Sequence, residues 1–144
     1  MKNLLIAFLV VAGIFGYLQN NPDTVSSFAE ETVQSDQTLA DAYKNQLSGI
    51  QVHGSAEVSH ILRDDNKGSR HQRFILRLPS GQTVLVAHNI DLAPRISNLN
   101  KGDRVQYFGQ YEWNAKGGVL HWTHHDPKGR HVGGWLKHEG QTYQ

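Results

Sequence analysis

The 144-residue chain has no cysteine. That absence excludes disulfide scaffolds, thiolate zinc sites, iron–sulfur clusters, cysteine nucleophiles and lipid-modified N-terminal cysteines. Net charge is nearly absent too, +1 with neutral histidine, so nothing drives the whole chain towards nucleic acid or anionic lipid. There is no apolar run of full bilayer length: residues 4–18 carry no charge, but fifteen residues fall short of the roughly 20 that a spanning helix needs. The zinc-protease signature His-Glu-x-x-His is missing as well. The length suits one domain. What the chain does have in surplus is histidine, nine in all.

The fifteen-residue run follows Lys2 and exits into polar sequence, the pattern of a secretory signal. Small residues at Ser27 and Ala29 offer a cleavage spacing, but they lie far beyond Leu18. Retention as a membrane anchor is therefore favoured over cleavage, with Lys2 cytoplasmic and Tyr17 at the interface. Residues 1–18 are read as signal or anchor, and the rest as exported.

Residues 19–49 hold five acids against Lys44 alone, a net of −4. They are rich in Ser, Thr, Asn and Gln and read as an acidic, polar spacer. A short helix is expected over 38–47, capped by Ser35 or Asp36, with Leu39, Ala42, Tyr43 and Leu47 as its apolar stripe and Ser48-Gly49 as its stop.

From Ile50 the apolar period becomes two. Val52, Ala56, Val58 and Leu62 mark a first strand, with His60 in the same inward phase. Strands over 71–78, 82–88, 104–113 and 119–124 follow, separated by Asp64–Gly68, Pro79-Ser80-Gly81, a longer polar connection and Asn114–Gly118. A small hairpin is expected after Pro127, with Trp135 and Tyr143 flanking Glu139-Gly140. Five strands with a long third connection predict an all-β fold over 50–144, a five-stranded OB-like Greek-key barrel with a small C-terminal extension. An SH3-like barrel or open sandwich is the competing architecture. A core of this size is adequate without disulfides.

Three strings carry a family resemblance: Gly68-Ser69-Arg70-His71-Gln72-Arg73-Phe74, His88-Asn89-Ile90-Asp91-Leu92-Ala93-Pro94-Arg95, and His121-Trp122-Thr123-His124-His125-Asp126-Pro127. Together they resemble a bacterial family known only as a domain of unknown function, family 3465. The resemblance covers about two thirds of the chain and implies a small protein of the bacterial cell envelope, periplasmic or anchored to the inner membrane. It implies no activity.

All nine histidines lie after residue 50, in a segment with twelve Lys and Arg against eight Asp and Glu. The densest group is His121, His124, His125 and Asp126. With the fifth strand extended, His121 and His125 share a face and form part of a site for Zn, Ni or Cu, completed by His71, His88 or His131. The bland reading is a set of hydrogen-bonded histidines at a strand end. A second constellation places His71, His88 and Asp91 as candidate acid–base residues beside Arg70, Arg73 and Arg95, forks suited to phosphate or carboxylate. An internal salt-bridge network of Asp91 with Arg70 or Arg95 is its bland counterpart. His60 and His88 sit at core phase and are expected to be buried and paired. Trp122 joins the ligand-binding candidates; most other aromatics fit core packing better than base stacking.

The expected function is an envelope ligand-binding module. Its ligand is an anion, glycan or protein, with nucleic acid disfavoured and a histidine-held metal as a candidate cofactor. The alternatives are a metal-dependent hydrolase of the phosphodiesterase or nuclease kind and a purely structural envelope component. A hairpin-plus-helix nuclease site is disfavoured because Pro127, Gly129, Gly133 and Gly134 oppose a helix after His125.

Overall fold

The computed structural model describes residues 35–144. The apolar run, its expected export role and most of the acidic stretch lie outside the described residues. Residues 35–44 form one helix (α1). Seven strands follow: β1 (Ile50–Ile61), β2 (His71–Arg77), β3 (Thr83–Asn89), β4 (Arg104–Glu112), β5 (Val119–His121), β6 (Trp135–His138) and β7 (Gln141–Tyr143). Among the described residues, no helix is long and apolar enough to cross a membrane.

The sheet runs β1-β2-β3-β5-β4-β6-β7, and β1 also pairs with β4. That second pairing closes β1, β2, β3, β5 and β4 into a barrel. The β3–β5 ladder is parallel, through Leu85 opposite Val119 and Val86 opposite Leu120; the other ladders are antiparallel. This is the five-stranded OB-like arrangement with two extra strands.

The core follows the period-two pattern. Val52, Ala56, Val58, Phe74, Leu76, Val84, Val86, Val105, Tyr107, Tyr111 and Leu120 are buried within the barrel. β1 serves two partners. Residues 50–57 pair with β4, and residues 57–61 pair with β2. Gly54 lies at the crowded part of β1: a Cβ there would meet the Tyr107 hydroxyl at 2.7 Å and the Ser35 Cβ at 2.8 Å. Glycine lets α1 approach the barrel wall this closely. Ile50 begins the sheet, but the apolar core begins earlier, with Leu39 and Ala42 of α1. Three residues apart on a helix, these two side chains share one face.

Four local expectations need correction, each for a physical reason. α1 spans 35–44 rather than 38–47. Gln46 adopts φ +54°, and Leu47 N–H reaches the Ala42 carbonyl at 2.9 Å while Gln46 N–H reaches Tyr43. This is a left-handed C-terminal cap built on glutamine rather than on Gly49, and it leaves Leu47 exposed. His60 is exposed, not buried. Val58 pairs with Leu76 and His60 with Ile75, so Ser59 is an extra residue in a β-bulge, which inverts the inward phase. Ser59 is buried in its place. Finally, β5 stops at His121 instead of running to 124, because Trp122 takes φ +55°. The expected sharing of one face by His121 and His125 therefore does not arise.

The C-terminal hairpin is as expected. Glu139 and Gly140 have φ of 50° and 77°, the two left-handed residues of a tight turn whose twist matches paired strands.

β5 and β6 lie one after the other along the same edge of β4. Gln110 faces His121, while Phe108 faces Trp135. On an uninterrupted antiparallel strand Phe108 would face residue 123, so the chain returns to its register twelve residues late. Residues 122–134 are that excursion, a compact Ω-type loop with both ends rooted on one strand.

Candidate functional site

The Ω-loop is built around Asp126. Its carboxylate accepts backbone N–H groups from Lys128 at 2.9 Å, Arg130 at 2.8 Å and His131 at 2.9 Å. These bonds hold its pKa below the ordinary carboxylate value. Gly129 N–H returns to the Asp126 carbonyl at 3.0 Å. The string Asp126-Pro127-Lys128-Gly129 is thus an Asx-type turn, and the acid predicted as a metal ligand organises the loop instead. At the loop's end, Gly134 is wedged between the Trp122 and Phe108 carbonyls, where a Cβ would collide with both. Its N–H donates to the His124 carbonyl at 3.0 Å.

This turn delivers His131 to the outer face of the barrel. Its ring stacks on Trp122 with centroids 3.9 Å apart and planes 10° from parallel. His131 Nε2 meets Gln110 Oε1. Gln110 Nε2 donates to Glu112 Oε1 at 2.6 Å, and the same oxygen faces His121 Nε2 at 3.4 Å. The Gln110 bond, with smaller help from His121, keeps the Glu112 carboxyl below its ordinary pKa. His131, Gln110, Glu112 and His121 thus form a continuous polar shelf across β4 and β5. Gln51 pairs with Gln110 across the β1–β4 ladder, so it shares this face. Its buried Nε2 has no hydrogen-bond partner.

The predicted metal quartet is dispersed. His121 belongs to the shelf. His124 is buried, with Nδ1 at 2.6 Å from the His125 carbonyl and its ring 5.3 Å from Trp122. His125 is exposed, and Asp126 is engaged as described. Among the described residues, the one set of three metal-ligating side chains whose ligand atoms converge within 4.8 Å is Asp103, His138 and Glu139. None of these three was singled out by sequence. The adjacent His138-Glu139 was a visible signal; the partner Asp103 required the β4–β6 pairing.

The second constellation is likewise taken apart. Arg70 binds Asp91 through Nε at 2.7 Å and through its backbone N–H at 2.8 Å. These contacts, the backbone one first, depress the Asp91 pKa. Arg95 forks onto Asp64 at 3.0 and 3.2 Å. Arg73 donates to the Arg63 carbonyl, and His71 Nδ1 lies 2.8 Å from the Ser69 carbonyl.

His88 is wholly buried. Its Nε2–H donates to the Pro94 carbonyl at 3.0 Å, and the Thr123 hydroxyl donates to Nδ1 at 2.8 Å. Burial pushes its pKa down to about 4, so the ring is neutral at pH 7. It matches the expected core histidine, and Gln72, its partner across the β2–β3 ladder, is buried beside it. The Gln72 amide donates to the Ile96 carbonyl at 2.8 Å and accepts the Ile96 N–H at 2.9 Å. These two side chains pin the long β3–β4 connection over the barrel.

No curated protein matches the chain. The model of a family described as a protein of unknown function, DUF3465, matches residues 24–144. That match takes in the whole barrel, the Ω-loop and the terminal hairpin, and the chain belongs to this family.

Proposed function

We propose that the domain is a binding module of the bacterial cell envelope that holds a neutral, hydroxyl-rich ligand of the glycan class on the β4–β5 shelf, without turnover. The observation that carries this reading is the linked row His131–Gln110–Glu112–His121 beside the unpartnered Gln51 amide. Mixed donors and acceptors of this kind suit vicinal hydroxyls, which both donate and accept. The carboxylate of Glu112 disfavours an anion at the same place. The arginine forks that would favour one, on Arg70 and Arg95, already hold Asp91 and Asp64. His88, proposed from sequence as an acid–base residue, is sealed in the core with both ring nitrogens engaged and takes no part in the shelf. The envelope location is supported by the uncharged run after Lys2.

The test is calorimetric titration with neutral oligosaccharides and with sulfated or phosphorylated ones of equal length. Neutral oligosaccharides should bind, and Glu112→Gln or His121→Ala should weaken that binding at least about tenfold, the effect of losing one charge-assisted hydrogen bond. Binding of the anionic series alone, or binding indifferent to both substitutions, overturns the proposal.

A further inference from the structure

Away from the shelf, two turns bring three metal-ligating side chains together. The turn leading into β4 supplies Asp103, and the β6–β7 hairpin supplies His138 and Glu139. His138 Nε2 lies 2.7 Å from Asp103 Oδ2 and 3.9 Å from Glu139 Oε1. The arrangement is fixed by the fold. The His138 side chain is only 3% exposed, so its ring has little freedom. Asp103 is held by the Asn100 N–H at 2.9 Å. Glu139 occupies the first left-handed position of the hairpin turn, a place usually taken by Asn, Asp or Gly.

We propose that Asp103, His138 and Glu139 bind a divalent transition ion, with Zn2+ as the leading case, which clips the terminal hairpin to the turn feeding β4. One imidazole nitrogen and two carboxylate oxygens suit a borderline ion better than Ca2+ or Mg2+, which prefer oxygen alone. Ligand atoms on a tetrahedral ion with bonds of about 2.0–2.1 Å stand about 3.3 Å apart. The observed 2.7 and 3.9 Å lie on either side of that value, so small rotations of the carboxylates suffice. The two carboxylates balance the ion's charge, and water completes its shell. On binding, the ion replaces the proton that Nε2 shares with Asp103, and that proton leaves to solvent. The site lies 35 residues apart along the chain, so the ion would join the extension to the barrel at a point distant in sequence. The site shares no residue with the shelf.

The test uses the untagged full chain in detergent, titrated with Zn2+ by calorimetry and melted with and without the ion. One equivalent should bind, and saturation should raise the Tm by about 10 °C. Glu139 is 71% exposed, so Glu139→Gln should leave the metal-free Tm within about 2 °C yet weaken Zn2+ binding at least about tenfold. His121→Ala should leave Zn2+ binding unchanged. The proposal is overturned if no stoichiometric binding occurs, if Glu139→Gln binds as the wild type does, or if His121→Ala removes the ion. In the last case Glu112 and His121 of the shelf hold it.

Discussion

The two sides of this barrel use the same residue types to opposite ends. On the β2–β3 side, Arg70, Arg95, Asp64, Asp91 and His88 are matched with one another or with backbone groups. Their chemistry is consumed in bracing the long connection and the chain before β2. On the β4–β5 side, His131, Gln110, Glu112 and His121 are linked in a row, yet its last pair stands 3.4 Å apart and the neighbouring Gln51 Nε2 has no partner. The contrast shows that residue type alone does not make a site. A histidine or carboxylate is available to a ligand only to the extent that the fold has not already satisfied it.

The sharpest way to break this contrast is to unseat the loop that builds the second side. Gly134→Ala drives a methyl into the Trp122 and Phe108 carbonyls and should lower unfolding free energy by about 3 kcal/mol or more. Denaturant titration checks this; a loss under about 1 kcal/mol would mean the loop is not rooted as described.

Next in size is the braced side's buried histidine. His88 has a folded pKa of about 4 against an ordinary 6.5. Between those values the unfolded chain takes up a proton that the native ring refuses. The His88 contribution is therefore complete above pH 6.5 and is lost as pH falls to 4, a change of about 3 kcal/mol. Stability measured at pH 7 and pH 4 in wild type and His88→Gln should differ in slope by this amount. Parallel slopes would show that His88 is not sealed.

A smaller effect is expected from Glu112→Gln. Folding stability should change by less than about 1 kcal/mol, while oligosaccharide binding falls about tenfold. That pairing separates a site from a brace. The smallest effect belongs to Arg70→Ala. Its ion pair is exposed, so stability should move by less than about 1 kcal/mol, and shelf binding should not move at all. A lost ligand in Arg70→Ala would erase the distinction between the sides.

Much of the fold was legible because burial follows alternation. Phe74, Leu76, Val84, Val86, Val105 and Tyr107 face inward as their phase requires. His88 followed the same logic correctly. His60 did not, because the bulge at Ser59 leaves no mark in a pattern of apolar and polar letters. The end of β5 was hidden for a similar reason: tryptophan is an unexpected residue for φ +55°. The candidate site was legible only in part. The histidine-rich string did mark the Ω-loop, but spacing suggested a ligand set where the chain makes an Asx turn, and Pro127 and Gly129 next to Asp126 were the available clue. The partners of His121 and His131, namely Glu112 and Gln110, depend on which strand borders which. That information lies in the closure of the sheet rather than in any local segment.

The displacement of twelve residues between the two ladders on β4 has a consequence for how this molecule can be rebuilt. The returning strand takes its facing from the residues it pairs with, Leu136 opposite the buried Tyr107, and not from the number of residues in the detour. A length change inside the loop should therefore be taken up there, while Leu136 keeps its place in the core. The loop is thus a cassette held at its ends, where Gly134 lies against the Trp122 carbonyl. It is also tethered from within, because Thr123, near its start, completes the hydrogen bonding of His88. A graft that changes the tip around Lys128 while keeping Thr123 and Gly134 should leave the interior undisturbed.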